Sequence, residues 1–194
     1  MNTAELKKFD LSFPGHWIAG SDRDWAFETA LILSSLENEF VRAVASFAMF
    51  EPITTSNVEQ FADLNQSKYE GCLNGIYATS FVLSLDAISK LLEALKKYLN
   101  PPSTVLIFIS EYEAIFGHLK HIRDSIAHIE DRSRGVDKYQ RRIPTNFLIL
   151  GAFVERRFGF TASDGKFYGI ELSESTLLSA HRILQGIINA YTWE

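Results

Sequence analysis

The chain is poor in the residues that would mark many function classes. Its 194 residues include one cysteine, two methionines and five prolines. With Cys72 alone, neither a disulfide framework nor a cysteine-based zinc site can be built. No long apolar run is present: stretches such as "AVASFAMF" fall far short of the ~20 residues of a membrane span. The opening "MNTAELKKFDLSFPGHW" lacks the apolar core of a secretory signal. The expectation is a cytoplasmic protein with no membrane partner. Basic residues are also in deficit, 19 Lys and Arg against 24 Asp and Glu, a net charge of −5. That balance argues against general affinity for nucleic acid.

What is present is the composition of a folded protein, 46% hydrophobic and 13% aromatic, in a length that suits one domain with a sizeable core. No internal repeat or low-complexity tract divides it, so residues 1–194 are read as one domain, with an N-terminal arm at 1–20. Ser21 with Asp24 marks a helix start, followed by Leu33, Leu36, Phe40, Val44 and Phe47 at helical spacing. Pro52 and "TTSN" end that helix, and a short segment follows near Val58 to Leu64. A second long helix runs from about Gly71 to Leu99 on a stripe of Leu85, Ile88, Leu92, Leu95 and Leu99. "NPP" at 100–102 stops it, because prolyl rings cannot continue the hydrogen-bond ladder. A third helix opens at Ser103, with Ile109, Tyr112, Phe116, Leu119, Ile122, Ile126 and Ile129 as one continuous apolar stripe. Residues 146–172 are rich in aromatic and β-branched side chains around the turn "SDGK" and predict a β-hairpin insert. Ser173 caps a closing helix to about Tyr191. The fold class is mainly α, an up-and-down helical bundle with a β-hairpin before its last helix.

The third helix carries the densest chemistry. "HLKHIRDSIAHIEDRSRG" (118–135) holds three of the five histidines and ends in arginines. From Arg132 to Arg157 there are seven basic residues against Asp137 and Glu155, a local excess on an otherwise acidic chain that can steer a polyanion. On a wheel with Ile122 at zero, His121, Asp124, His128 and Asp131 fall between roughly 180° and 260°. Arg123 falls near 100°, so about 140° separates it from His128. The two meet only if Arg123 reaches far, the helix bends, or two chains share a groove.

Three readings stand. Asp124 and His128 can be an ordinary i,i+4 pair on a wet helix face, with Arg123 solvated. His118, His121, Asp124 and His128 stand at intervals that a metal could use, yet one helix rarely completes a coordination shell and no second cluster is present. No metal or other cofactor is therefore expected. The third reading starts from "RDSIAH", Arg123 to His128, which resembles the R-x4-H motif of the HEPN superfamily. Asp124 stands where that family often has Asn, Asp or His, and Ile126-Ala127 match the apolar and small residues before the histidine. The specific match covers six residues, and the architectural likeness extends loosely over Asp22 to Tyr191.

The resemblance implies a metal-independent endoribonuclease, of the kind found among toxins and phage-defence effectors. It implies a homodimer with a composite active site, RNA as substrate and an antitoxin protein as a partner. His128 would be the acid or base, since an imidazole titrates near neutrality. Arg123 would hold the phosphate as charge develops on it. Asp124 would either orient Arg123 or raise the His128 pKa by proximity, although a bare carboxylate repels a phosphate. Arg132, Arg134, Arg141 and Arg142, with Arg156 and Arg157, would guide the RNA backbone. Tyr139, Phe158 and Tyr168 read as hairpin core before base-stacking residues. Glu130 stands where some toxins carry a tyrosine modified by nucleotidylation, so that control does not transfer. The alternative is a catalytically silent helical module that dimerises or binds a nucleotide or protein. Among the remaining features, His16 and His181 read as surface or packed histidines, and Trp17, Trp25 and Trp193 as anchors.

Overall fold

A computed structural model describes residues 3–20, 22–50 and 64–194. The expectations for Ser21, Pro52, "TTSN" and the segment at Val58 lie outside these residues. Helix α1 (Thr3–Leu6) leads through a 3-10 turn (Lys7–Phe9) into an extended arm. α2 (Arg23–Met49) begins at Asp22, whose carboxylate accepts from the amides of Asp24 and Trp25 and so satisfies two otherwise orphaned donors. Its apolar stripe buries Leu33, Leu36, Phe40 and Val44. α3 (Leu64–Tyr98) starts earlier than the sequence pattern indicates, and Leu85, Ile88, Leu92, Leu95 and Leu99 are all buried. Two side-chain bonds give its direction relative to α2. Trp25 Nε1 donates to the Leu99 carbonyl, and Ser46 Oγ meets Ser80 Oγ at 2.9 Å. The start of α2 thus faces the end of α3, and the pair is antiparallel.

α4 (Ser103–Phe116) returns along α3, with the Tyr112 hydroxyl donating to the Leu85 carbonyl. α7 (Glu174–Asn189) opens at Ser173, which accepts from the Thr176 amide as expected. It runs antiparallel to α4, with Arg182 bonded to Glu111 and the Phe108 ring against Gly186. The frame is an up-and-down arrangement of α2, α3, α4 and α7 around one apolar core. The segment Gly71–Tyr98 is long and apolar enough to cross a membrane by length and composition. Its stripe from Phe81 to Leu95 is spent on that core. The arm is no loose appendage: Ile18 pairs with Trp193, and the amides of His16 and Trp17 donate to the Glu194 carbonyl.

Two expectations are corrected. The third helix is not continuous. The chain tightens at Gly117 and His118, resumes as α5 (Leu119–Ala127), breaks again at His128 and finishes as α6 (Ile129–Ser133). His128 has φ −121° and ψ 39°, outside the helical region. The stripe accordingly fades, since Ile126 is half-buried and Ile129 is 41% exposed. The expected hairpin is a three-stranded antiparallel sheet, β1 (Leu150–Val154), β2 (Arg157–Thr161) and β3 (Phe167–Glu171), in the order β1-β2-β3. "SDGK" makes the β2–β3 turn as read. The missed turn is Glu155-Arg156, whose φ values of 49° and 67° are those of a type I′ hairpin without the usual Asn-Gly.

Candidate functional site at the broken helix

α5 is clamped on the sheet. Leu119 and Ile122 are buried beneath it, and the buried Ser125 hydroxyl bonds the His121 carbonyl at 2.9 Å while facing the Thr161 carbonyl at 3.5 Å. His121 stacks on Tyr168 of β3, ring centroids 4.3 Å apart, and the Tyr168 hydroxyl donates to Asp164 at 2.8 Å. That hydrogen bond, followed by burial and the Asp164 charge, raises the Tyr168 phenol above its ordinary value. His121 is therefore a held ring and not a loose surface residue. His118 packs elsewhere, beside Arg157 and the start of α7. Burial and then the Arg157 charge lower its pKa, which opposes protonation.

The motif pair separates. Arg123 turns toward α3, where Nη1 donates to Asp86 at 3.0 Å. Its Nε and Nη2 both donate to Asp124 Oδ1, at 3.1 and 2.8 Å. The Asp124 hydrogen bond first, then the two carboxylate charges, raise its pKa against a burial effect of opposite sign. Asp86 is 4% exposed and sits inside the apolar stripe of α3. The sequence held one signal for it, a single carboxylate between the core positions Leu85 and Ile88. His128 is half-exposed, with Nδ1 3.9 Å from Asp131. Arg123 is held by Asp86 and Asp124 and is absent from the wall of the cavity that His128 lines.

His128 opens into a cavity of about 210 Å³ between α5, α6 and the loop that follows, whose wall contains no part of Arg123. His121, Asp124, Arg132, Lys138, Tyr139 and Arg141 contribute to that wall. Loop 134–145 is polar and basic, and it is tightly folded. Asp137 accepts from the amides of Tyr139 and Arg141 and pairs with the Arg141 guanidinium at 2.6 Å. The Arg141 side-chain hydrogen bond is the main reason that its carboxyl is lowered to about 2, with burial acting the other way. Arg134 donates to Gln140, which in turn donates to Asp131.

Among the arginines expected to guide RNA, Arg132 is buried. It is 3% exposed, its Nη1 donates to the Val136 carbonyl at 3.0 Å, and its Nε has no hydrogen-bond partner. The reason is the break at His128: α6 turns Arg132 inward under the loop. Arg134, Arg141 and Arg142 are exposed. Arg157 folds back on the Gly169 carbonyl. The aromatic assignments divide too, with Phe158 in the core and Tyr139 66% exposed.

The metal alternative changes membership. The four groups spaced along the helix do not converge; among the described residues, ligand atoms of His128, Glu130 and Asp131 come within 4.8 Å of one another. One imidazole and two carboxylates on a short turn can hold a divalent cation only with open positions left for water. Comparison with family models, with curated proteins and with solved structures gives no match to this chain.

Proposed function

We propose that the protein is a HEPN-type, metal-independent endoribonuclease that acts as a homodimer, in the manner of a toxin or defence effector. The observation that carries this reading is the cavity at the helix break, where His128 stands half-exposed and free of a close hydrogen bond, beside His121 and several cationic side chains. Cleavage by the 2′-hydroxyl needs a group to take its proton and another to protonate the departing 5′-oxygen. His128 serves one role and its copy in a second protomer the other. The 2′-oxygen bonds to phosphorus, the 5′-oxygen leaves, and a 2′,3′-cyclic phosphate remains.

Arg123 stabilises the crowded phosphate from across the dimer. Three of its five N–H donors are occupied by Asp86 and Asp124, which leaves two for phosphate oxygens. Asp124 positions the guanidinium and, being paired, repels phosphate less than a bare carboxylate.

The test is cleavage of end-labelled RNA by the purified protein, with product ends analysed. Cyclic phosphate ends, indifference to EDTA and loss of activity in His128→Ala are expected. Full activity in that variant, or activity that depends on added Zn²⁺ or Mn²⁺, overturns the proposal. A silent binding module is the second reading, favoured by the two carboxylates that fix Arg123 away from His128 in one chain. It predicts no cleavage of any RNA and unchanged partner binding in His128→Ala.

A further inference from the structure

Arginine is almost never fully buried without a carboxylate, because taking a guanidinium out of water is costly unless its charge and its donors are met. Arg132 breaks that pattern. It is 3% exposed, and among the described residues its side chain makes one hydrogen bond, to a neutral carbonyl, and no ion pair. Its unpartnered Nε belongs to a side chain in the wall of the His128 cavity.

The two carboxylates of the wall are already engaged. Asp124 takes both Nε and Nη2 of Arg123, and Asp137 takes Nε and Nη2 of Arg141 together with two loop amides. Asp131, just outside the wall, accepts from Gln140 at 2.9 Å and lies 3.8 Å from Arg134. Arg132 and Lys138 are the cations of the wall that have no carboxylate partner among the described residues. His121, held flat on Tyr168, and His128 add ring nitrogens, and Ser163 adds a hydroxyl.

We infer that this cavity is a phosphate-binding subsite centred on Arg132, and that it holds one phosphate of an RNA strand while Tyr139 receives the adjoining base. The inference rests on the ribonuclease reading for its source of phosphate, though not for the binding itself. A volume of about 210 Å³ is some seven water volumes, room for a phosphate and part of its nucleoside. Tyr139 is the exposed aromatic ring of the wall, 66% accessible, and offers its face to the adjoining base. Lys138 Nζ and Arg141 Cζ each lie 5.1 Å from its centroid. A ring with cationic neighbours at the mouth of a cationic cavity is the arrangement that stacks a base and tracks its backbone. Arg132 thus does not line a surface path for RNA; it anchors one phosphate at depth.

The test uses the full chain at low salt, with inorganic phosphate and adenosine 3′-monophosphate titrated separately by calorimetry and by NMR of the histidine rings. Both probes are expected to shift the His121 and His128 resonances, the nucleotide binding more tightly. Arg132→Met should weaken both probes at least tenfold. Tyr139→Ala should weaken the nucleotide roughly tenfold and leave phosphate within about twofold. If the Arg132 variants fail to fold, the wild-type resonances and Tyr139→Ala decide. Shifts at the two histidines sustain the subsite, and shifts elsewhere overturn it.

Equal phosphate affinity in a folded Arg132→Met also overturns the subsite, as does absence of binding at millimolar probe. A 2′-O-methyl oligonucleotide separates the two sources of phosphate. Binding of the oligonucleotide at this site sustains RNA, and binding of free mononucleotide alone overturns it. Phosphate binding without RNA cleavage refutes the ribonuclease reading only; cleavage without phosphate binding refutes only this subsite.

Discussion

Removing Arg123 should cost this protein stability as well as any activity, and the structure says why. Asp86 has a side chain 5% exposed, and its Nη1 partner is 3.0 Å away on a guanidinium that is 32% exposed. In Arg123→Met the arginine's stem is roughly kept, and the carboxylate is stranded in the α3 stripe. Breaking a buried pair from one side typically costs about 3–5 kcal/mol, since the remaining charge is uncompensated. Water reaches the arginine end of this pair, so about 2–4 kcal/mol is the better expectation. For a chain of this length each kcal/mol moves the melting temperature by roughly 2–4 °C, which gives a fall of about 4–16 °C. Asp86→Asn should cost less, because Arg123 keeps Asp124 and solvent. The double variant Asp86→Asn/Arg123→Met should recover more than half of the loss. The assay is thermal melting by far-UV circular dichroism at matched concentration. A melting temperature within about 1 °C of wild type in Arg123→Met refutes the reasoning, as does a double variant no more stable than the single one. Cleavage assays on Arg123 variants therefore belong well below these midpoints.

Three further outcomes follow from the same contacts. At Gly159 a Cβ would stand 1.9 Å from the Tyr168 carbonyl oxygen and 2.6 Å from the Gly169 Cα, both backbone atoms of the paired strand. Gly159→Ala should lower stability by about 1–3 kcal/mol in a urea melt. Gly169→Ala, whose Cβ meets the movable Phe167 ring at 2.7 Å, should cost less. The Asp137 carboxyl, held at about 2 by Arg141, lies below its unfolded value, so its stabilisation is complete above about pH 4 and is lost as pH falls through about 2. The acid-unfolding curves of wild type and Asp137→Asn should converge only toward pH 2, and an Asp137 resonance titrating near 4 would contradict this. His118, lowered first by burial and then by Arg157, favours the fold only while neutral. Stability should therefore decline as pH drops below about 6.5 and until the folded pKa is passed, and His118→Gln should flatten that decline in melts across the range.

Much of the frame was legible in the residue order because helices and turns are local. The stripe from Leu85 to Leu99, the Ser173 cap and the "SDGK" turn depend on neighbours within about four residues. The Glu155-Arg156 turn escaped, since neither residue advertises positive φ; strand pairing on both sides imposes it. The break at His128 escaped for a related reason. Its apolar and polar neighbours continue the helical period, and only packing of α5 on the sheet and α6 under the loop interrupts it.

The site divides in the same way. The order of residues placed Arg123, Asp124 and His128 within one helical pattern, crowded arginines into the next segment, and set Arg123 and His128 about 140° apart on the helical wheel. Tertiary structure alone decided what each one meets. Asp86 stands 37 positions from Arg123 in sequence and touches it only when α3 and α5 pack. Arg132, indistinguishable in composition from Arg134 and Arg142, is the one turned inward, because burial is a property of where a helix ends against its neighbours. Charge is written in the sequence, but which charges cancel is fixed by distances of about 3 Å that only the folded chain sets.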